Sequence, residues 1–195
     1  MDTGRQIFGA FGHQYALNPP KKEPEVAWFE QQNGIKLPEG YRAFLLQVAN
    51  GGTGPYYGLL RLESTRLHDI DYPDASKMLD SRQPFPHTEA WNLDDTPENE
   101  QAFEEEYFAP KQANGLLRMA NYGCGISINM VVNGPDYGKM WVDDRANDGG
   151  FYPDHLLGNE QRLEFLDWYE LWLDQSIAEI SAKASEPGIG GRAPG

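Results

Sequence analysis

Five prolines, Pro73, Pro84, Pro86, Pro97 and Pro110, interrupt residues 63–115. Proline lacks a backbone N–H and clashes with the preceding helical turn, so this stretch holds no long helix and no central strand. A structureless loop of that length is uncomfortable inside a compact domain. The segment is therefore expected to lie over a sheet as an insertion anchored by Phe85, Trp91, Phe103 and Phe108. A short helix over 97–107 fits within it, with Phe103 and Tyr107 four residues apart on one face.

The flanks are regular by contrast. Glu23-Pro24-Glu25 supplies the proline and acids that a first helical turn favours. Val26, Phe29 and Trp28 give that helix its apolar face, and Asn33-Gly34 ends it. Leu37-Pro38-Glu39 restarts a helix in which Tyr41, Phe44, Leu45 and Val48 follow the 3.6-residue period, stopped by Asn50-Gly51-Gly52. Tyr57–Leu62 reads as a short strand after the Gly54-Pro55 turn. Ahead of all this, residues 1–22 form an arm whose Ile7, Phe8, Phe11, Tyr15 and Leu17 are expected to pack on the body.

Beyond the insertion, Leu116–Ala120 reads as a strand. Ile126, Ile128, Met130 and Val132 alternate strictly, the pattern of a strand with one buried face. Residues 133–138 suit a hairpin turn, and Lys139–Asp144 returns as its partner, with Met140 and Val142 on one face and Trp141 on the other. A long helix is expected from Glu160 to Ser181 along Phe165, Trp168, Trp172, Ile177 and Ile180. Leu166, Tyr169 and Leu173 widen its stripe. The Gly/Pro-rich tail from 183 is expected to be disordered. The order of elements indicates α+β: one domain over 23–182, with a mostly antiparallel sheet covered by N-terminal and C-terminal helices.

The chain has 195 residues and a formal net charge of −14. Nucleic-acid binders show a basic footprint, so a phosphate-bearing partner is a poor fit. Net charge speaks first to solubility and then to basic partners, over a screening length of about 8 Å. No apolar run reaches the ~20 residues that span a bilayer. The first residues lack a basic and then apolar leader, and Cys124 has no second cysteine. A cytoplasmic protein with no membrane contact is expected.

The motifs of catalysis and metal binding fail one by one. An EF-hand loop starting at Asp144 would need oxygen ligands where Ala146 and His155 stand. None of His13, His68, His87 and His155 has a histidine or cysteine partner at helical spacing, and one cysteine excludes a thiolate zinc site. The glycines flanking Cys124 leave room for the exposure a nucleophile needs, but a small buried thiol is the commoner case. No nucleophile elbow or phosphate loop occurs. No cofactor and no catalytic set is expected. An enzyme would need His87, His155 or Cys124 to meet a carboxylate in a concave pocket.

One charge pattern stands out. Glu89, Asp94, Asp95, Glu98, Glu100, Glu104, Glu105 and Glu106 follow one another with no Lys or Arg between them, and Trp91, Phe103 and Tyr107 interleave. Such a run is either a solvated face or a surface for a basic partner with aromatic anchors.

The stretch from Glu30 through Asn33-Gly34, Leu37-Pro38, Tyr41 and Phe44 to Asn50-Gly51-Gly52 resembles the SUKH superfamily, the family of the yeast cell-wall assembly regulator. Gly54-Pro55-Tyr56-Tyr57-Gly58-Leu59 looks like a bacterial branch of it. Gly123–Ile128, Gly138–Trp141 and the closing aromatic helix match its layout. The resemblance implies an α+β fold that binds protein partners and carries no catalytic residues. Many bacterial members look like immunity proteins that neutralise polymorphic toxins by direct binding, and eukaryotic relatives act as regulatory adaptors. The resemblance implies either role. For either, the expected partner face comprises Trp91, Asp94, Asp95, Glu98, Glu100, Glu104, Glu105 and Glu106, with Tyr56, Tyr57, Asp143 and Asp144 as further candidates. The Tyr56-Tyr57 turn would equally serve a homodimer.

Overall fold

The computed structural model describes residues 4–69, 71, 73, 74, 77–93 and 100–185. Its elements are α1 (Ala10–His13), α2 (Glu23–Asn33), α3 (Glu39–Gln47), α4 (Glu100–Tyr107), β1 (Leu116–Gly123), β2 (Ile126–Val131), β3 (Met140–Asp143), β4 (Phe151–Pro153) and α5 (Phe165–Ser185). The strands form one antiparallel meander in the order β1-β2-β3-β4. This is an α+β fold.

Local chemistry sets the two N-terminal helices. The Glu25 carboxylate accepts the Lys22 N–H at 2.9 Å and closes the first turn of α2, and Gly34, at φ 64°, ends it. Glu30 accepts the Leu37 N–H at 2.9 Å and the Arg42 Nε–H at 3.4 Å, which fixes the link to α3. On α3, Tyr41, Phe44 and Leu45 are buried, whereas Val48 sits past the last turn and is exposed.

Alternation then sorts the sheet into two faces. Leu117, Met119, Ile128, Met130, Met140 and Val142 share one core with Phe29, Tyr41, Phe44, Leu45, Phe165 and Trp168 from the helices. The Phe165 ring meets Tyr41 at 4.8 Å and Phe44 at 5.2 Å, edge to face. On the other face, Leu116, Val131, Trp141 and Phe151 pack against Leu79, Phe85, Ala113 and Trp91. The proline-rich segment thus covers the sheet's second side. That burial corrects the expectation of a strand with one buried face: Ser127 and Asn129 of β2 are buried as well.

Four other expectations shift. Tyr57–Leu62 forms no strand, because Gly51, Gly52 and Gly58 adopt positive φ and curl the chain. Single bridges join Leu59 to Gly52 and to Ala120 of β1, and the Tyr57 and Leu60 N–H groups donate to Asn121 O (3.2 Å) and Met119 O (2.8 Å) of β1. β4 follows the turn at 144–150, where no strand was expected. The last helix starts at Phe165, since residues just before it pair with β3 (Met140 N–H to Leu163 O, 3.0 Å). Its buried stripe runs through Phe165, Trp168 and Trp172, while Leu166, Leu173 and Ile177 are exposed. α5 runs to Ser185, past the expected boundary at 183, and residues 186–195 of the expected tail lie outside those described.

The N-terminal arm touches the body at several points. Thr53 donates its N–H to Ala16 O at 2.8 Å, and the Phe8 ring lies 5.6 Å from Tyr57 and 5.7 Å from Tyr122. At Gly9 a Cβ would lie 1.7 Å from the Tyr56 carbonyl oxygen, so only glycine permits this approach.

A candidate partner face above a buried ion network

Trp91 begins the construction of this face. Its backbone pairs with Phe151 in both directions (2.7 and 2.8 Å), so it extends the sheet beyond β4. Its indole stacks on Tyr107 at 5.5 Å, and Tyr107 stacks on Phe103 at 5.1 Å. Phe103 and Tyr107 are one turn apart on α4, so this stack fixes which side of the helix faces the sheet. The Tyr107 hydroxyl donates to Asn92 at 2.7 Å, and Asn92 donates to the Asp148 carbonyl at 2.7 Å.

The other side of α4 is left to Glu104 and Glu105, both exposed. Glu106 turns back to Lys111 (2.7 Å) and Gln112 (2.8 Å). Glu89 pairs with Arg162 at 2.9 Å while remaining largely exposed. Asp94, Asp95 and Glu98, and the side chain of Glu100, lie outside the described residues. Of the four anchors expected for the insertion, Phe85 is buried, Trp91 is half-buried in the second core and Phe103 joins the stack. Phe108 is 45% exposed, and Leu79 and Tyr107 are the buried anchors in its stead.

The remaining expected site residues fall elsewhere. Tyr56 is buried against Tyr122 (4.8 Å) and near Trp168, and burial raises its hydroxyl pKa. Tyr57 is 47% exposed, beneath Phe8 and apart from the α4 stack. Asp144 accepts the Asn147 amide at 2.8 Å and closes the turn that had suggested calcium. Asp143 is 6% exposed, and its carboxylate is taken up by two arginines.

Asp143 instead centres a buried ion network. Arg145 grips its two oxygens as a fork (Nε and Nη2, each 2.8 Å), and Arg118 Nη1 adds a third bond at 2.9 Å. Burial by itself would raise the Asp143 carboxyl pKa, but the two guanidiniums outweigh it and hold the group at about 2. Arg118 also donates to Ser127 (2.7 Å), Asn129 (2.8 Å) and the His68 carbonyl (3.0 Å). Arg145 lies 4.5 Å from the Phe151 ring and sends Nη1 to the Tyr107 carbonyl at 2.9 Å. A cavity of about 200 Å³ opens beside this network, lined by His68, Asp69, Asp71, Phe108 and Arg118 among others. A larger hollow of about 450 Å³ lies against Trp28 and Phe29, apolar apart from Lys21, Glu25 and Glu63.

Sequence reasoning passed over Arg118 and Arg145. The available signal was parity: Arg118, Ser127, Asn129 and Asp143 share the sheet face opposite the aliphatic one. Of the groups an enzyme would have used, His87 stacks between Trp91 (4.6 Å) and Phe151 (5.3 Å). Burial, with Arg145 nearby, lowers its pKa to about 4. His155 meets the Asn159 carbonyl at 2.8 Å, and Cys124, expected as a buried thiol, is instead an exposed turn residue at φ 54°. Among the described residues, no group of three His, Cys, Asp or Glu is placed to hold a metal ion. No described helix is long and apolar enough to cross a membrane.

The family model of the SMI1 / KNR4 family (SUKH-1) matches residues 20–154. The chain belongs to the SMI1 / KNR4 family. The SUKH-1 match starts just before α2, takes in the proline-rich cover and the whole sheet, and stops short of α5. At the level of the SUKH family, this supports a non-catalytic module of the immunity or regulatory type. No curated protein and no solved structure matches the chain.

Proposed function

We propose that this SUKH protein is a cytoplasmic immunity-type module that neutralises a basic toxin domain by direct binding. The observation that carries the reading is the α4 face. Its aromatic side is fastened to the sheet through Trp91 and Tyr107, while Glu104 and Glu105 are exposed on a chain of net charge −14. A fixed acidic array complements the cationic cleft of an enzyme that acts on nucleic acid. It also raises the rate of encounter, by roughly 10–10³-fold at low salt. Asp94, Asp95, Glu98 and Glu100 belong to the same proposed surface by sequence.

The test is co-purification with a toxin domain encoded beside this gene, followed by charge reversal, Glu104→Lys with Glu105→Lys. Binding is expected to weaken and to lose most of its salt dependence. Undiminished affinity after the reversal would reject this surface. Capture of a cellular scaffold with no adjacent toxin gene would favour the regulatory-adaptor role.

A further inference from the structure

We propose that Arg145 is the positioning residue of the acidic face. By clamping the C-terminal end of α4 to the buried Asp143 carboxylate, it holds Glu104 and Glu105 as one fixed array toward a cationic partner. The inference rests on the reading of that face as a partner surface.

The geometry is that of a clamp with a fixed base. The last carbonyls of a helix have no partner within the helix, and Tyr107 ends α4. Arg145 Nη1 donates to that Tyr107 carbonyl at 2.9 Å, placing a cation where the helix dipole favours one. The other two nitrogens of the same guanidinium are spent on Asp143 at 2.8 Å each. Phe151 and Phe108 lie within 4.5 and 5.8 Å of it. A planar guanidinium so placed has little freedom, and Arg118 fixes Asp143 in turn.

The rest of α4 is tied more weakly. An eight-residue helix is marginal by itself in water. Its other polar ties include the Tyr107–Asn92 bond and the bonds of Gln112 and Lys111 to Glu106. Loss of the clamp would leave the Trp91 stack in place but let the helix end fray, and fraying disperses the carboxylates that a partner must meet together.

The test uses the full chain with Arg145→Lys, which keeps the charge but cannot fork onto Asp143 and reach Tyr107 at once. Hydrogen exchange across 100–108 is expected to quicken about tenfold or more, with β2 and β3 protection unchanged. The affinity for a decalysine peptide is expected to fall severalfold through faster dissociation, because net charge and steering are preserved. Arg145→Met serves as the second variant, since it leaves Asp143 and Arg118 as a one-to-one pair. Unchanged protection of α4 in both variants would overturn the clamp. Faster exchange with unchanged decalysine affinity would overturn its link to binding. Failure of the unaltered chain to bind decalysine would reject the partner face itself, and with it this inference, before either variant is made.

Discussion

The two faces of the sheet are built by different means. On the helix side, aliphatic strand residues meet Phe44, Phe165 and Trp168, and stability comes from apolar burial. On the proline-rich side, a small aromatic core around Trp141, Phe85 and Phe151 adjoins the Arg118–Asp143–Arg145 network. Close packing tolerates changes that keep volume and shape. An ion network tolerates joint removal of its members better than the loss of one, because a lone buried charge has nowhere to go. The helix side should therefore answer to volume, and the cover side to charge balance.

The largest effect is expected on the helix side. Trp168 is fully buried and donates its indole N–H to Asp154 at 2.8 Å. Trp168→Ala should cost about 3–5 kcal/mol, with the loss of a donor to Asp154 Oδ2 adding to the cavity, while Oδ1 keeps the Leu156 N–H at 2.9 Å. Urea unfolding followed by circular dichroism measures it. A loss below about 1 kcal/mol would mean that the two faces do not differ as described.

The next prediction separates volume from charge. Asp143→Asn nearly keeps shape but strands two buried guanidiniums, and should cost about 3 kcal/mol or more. Replacing Arg118, Asp143 and Arg145 together by Met, Leu and Met should be far milder, near neutral in the same unfolding assay. It should nevertheless loosen α4, since the Tyr107 carbonyl loses its donor. A triple variant as damaged as the single one would show that the network acts through packing.

Acid should find the cover side first. The depressed pKa of His87 keeps it neutral in the fold, whereas the unfolded chain takes up a proton below about 6.5. The His87 contribution is therefore complete above that pH and is lost progressively down to about 4. Asp143, held at about 2, contributes above its ordinary value of 3.8 and loses that contribution as pH falls toward 2. Thermal unfolding between pH 7 and 4 should show the His87 slope, and His87→Phe should flatten it. An unchanged slope would place the acid sensitivity elsewhere.

What the sequence disclosed follows the same division. The α2–Asn33-Gly34–α3 run, the β2 alternation and the aromatic stripe of α5 are periodic, so simple patterns found them and the SUKH resemblance with them. β4 has three residues, too few for periodicity to register. The Tyr57–Leu62 expectation failed because bulky residues promised a strand that Gly51, Gly52 and Gly58 curl away. At the candidate site, the acids of α4 were legible as a charge run. Arg145 was not, since its role depends on Asp143 and Tyr107 meeting across 36 positions of chain. Ser127 and Asn129 looked solvent-facing because a polar residue at every second place is also how an exposed face reads.

The smallest expected effect marks where the helix-side core ends. Ile177 belongs to the expected apolar stripe of α5 yet is 54% exposed, five residues beyond the last buried aromatic, Trp172, and next to the buried Ser176. The two positions look alike in sequence, and burial alone separates them. Ile177→Gln removes exposed apolar surface and replaces a β-branched residue by a good helix former, so the change should stay within about 0.5 kcal/mol. Trp172→Gln, at 6% exposure beside Tyr169 and His13, should cost several times more. Equal costs in urea unfolding would place the end of the core beyond Ile177. A gain in stability at Ile177 would show that the exposed end of α5 contributes nothing to the fold.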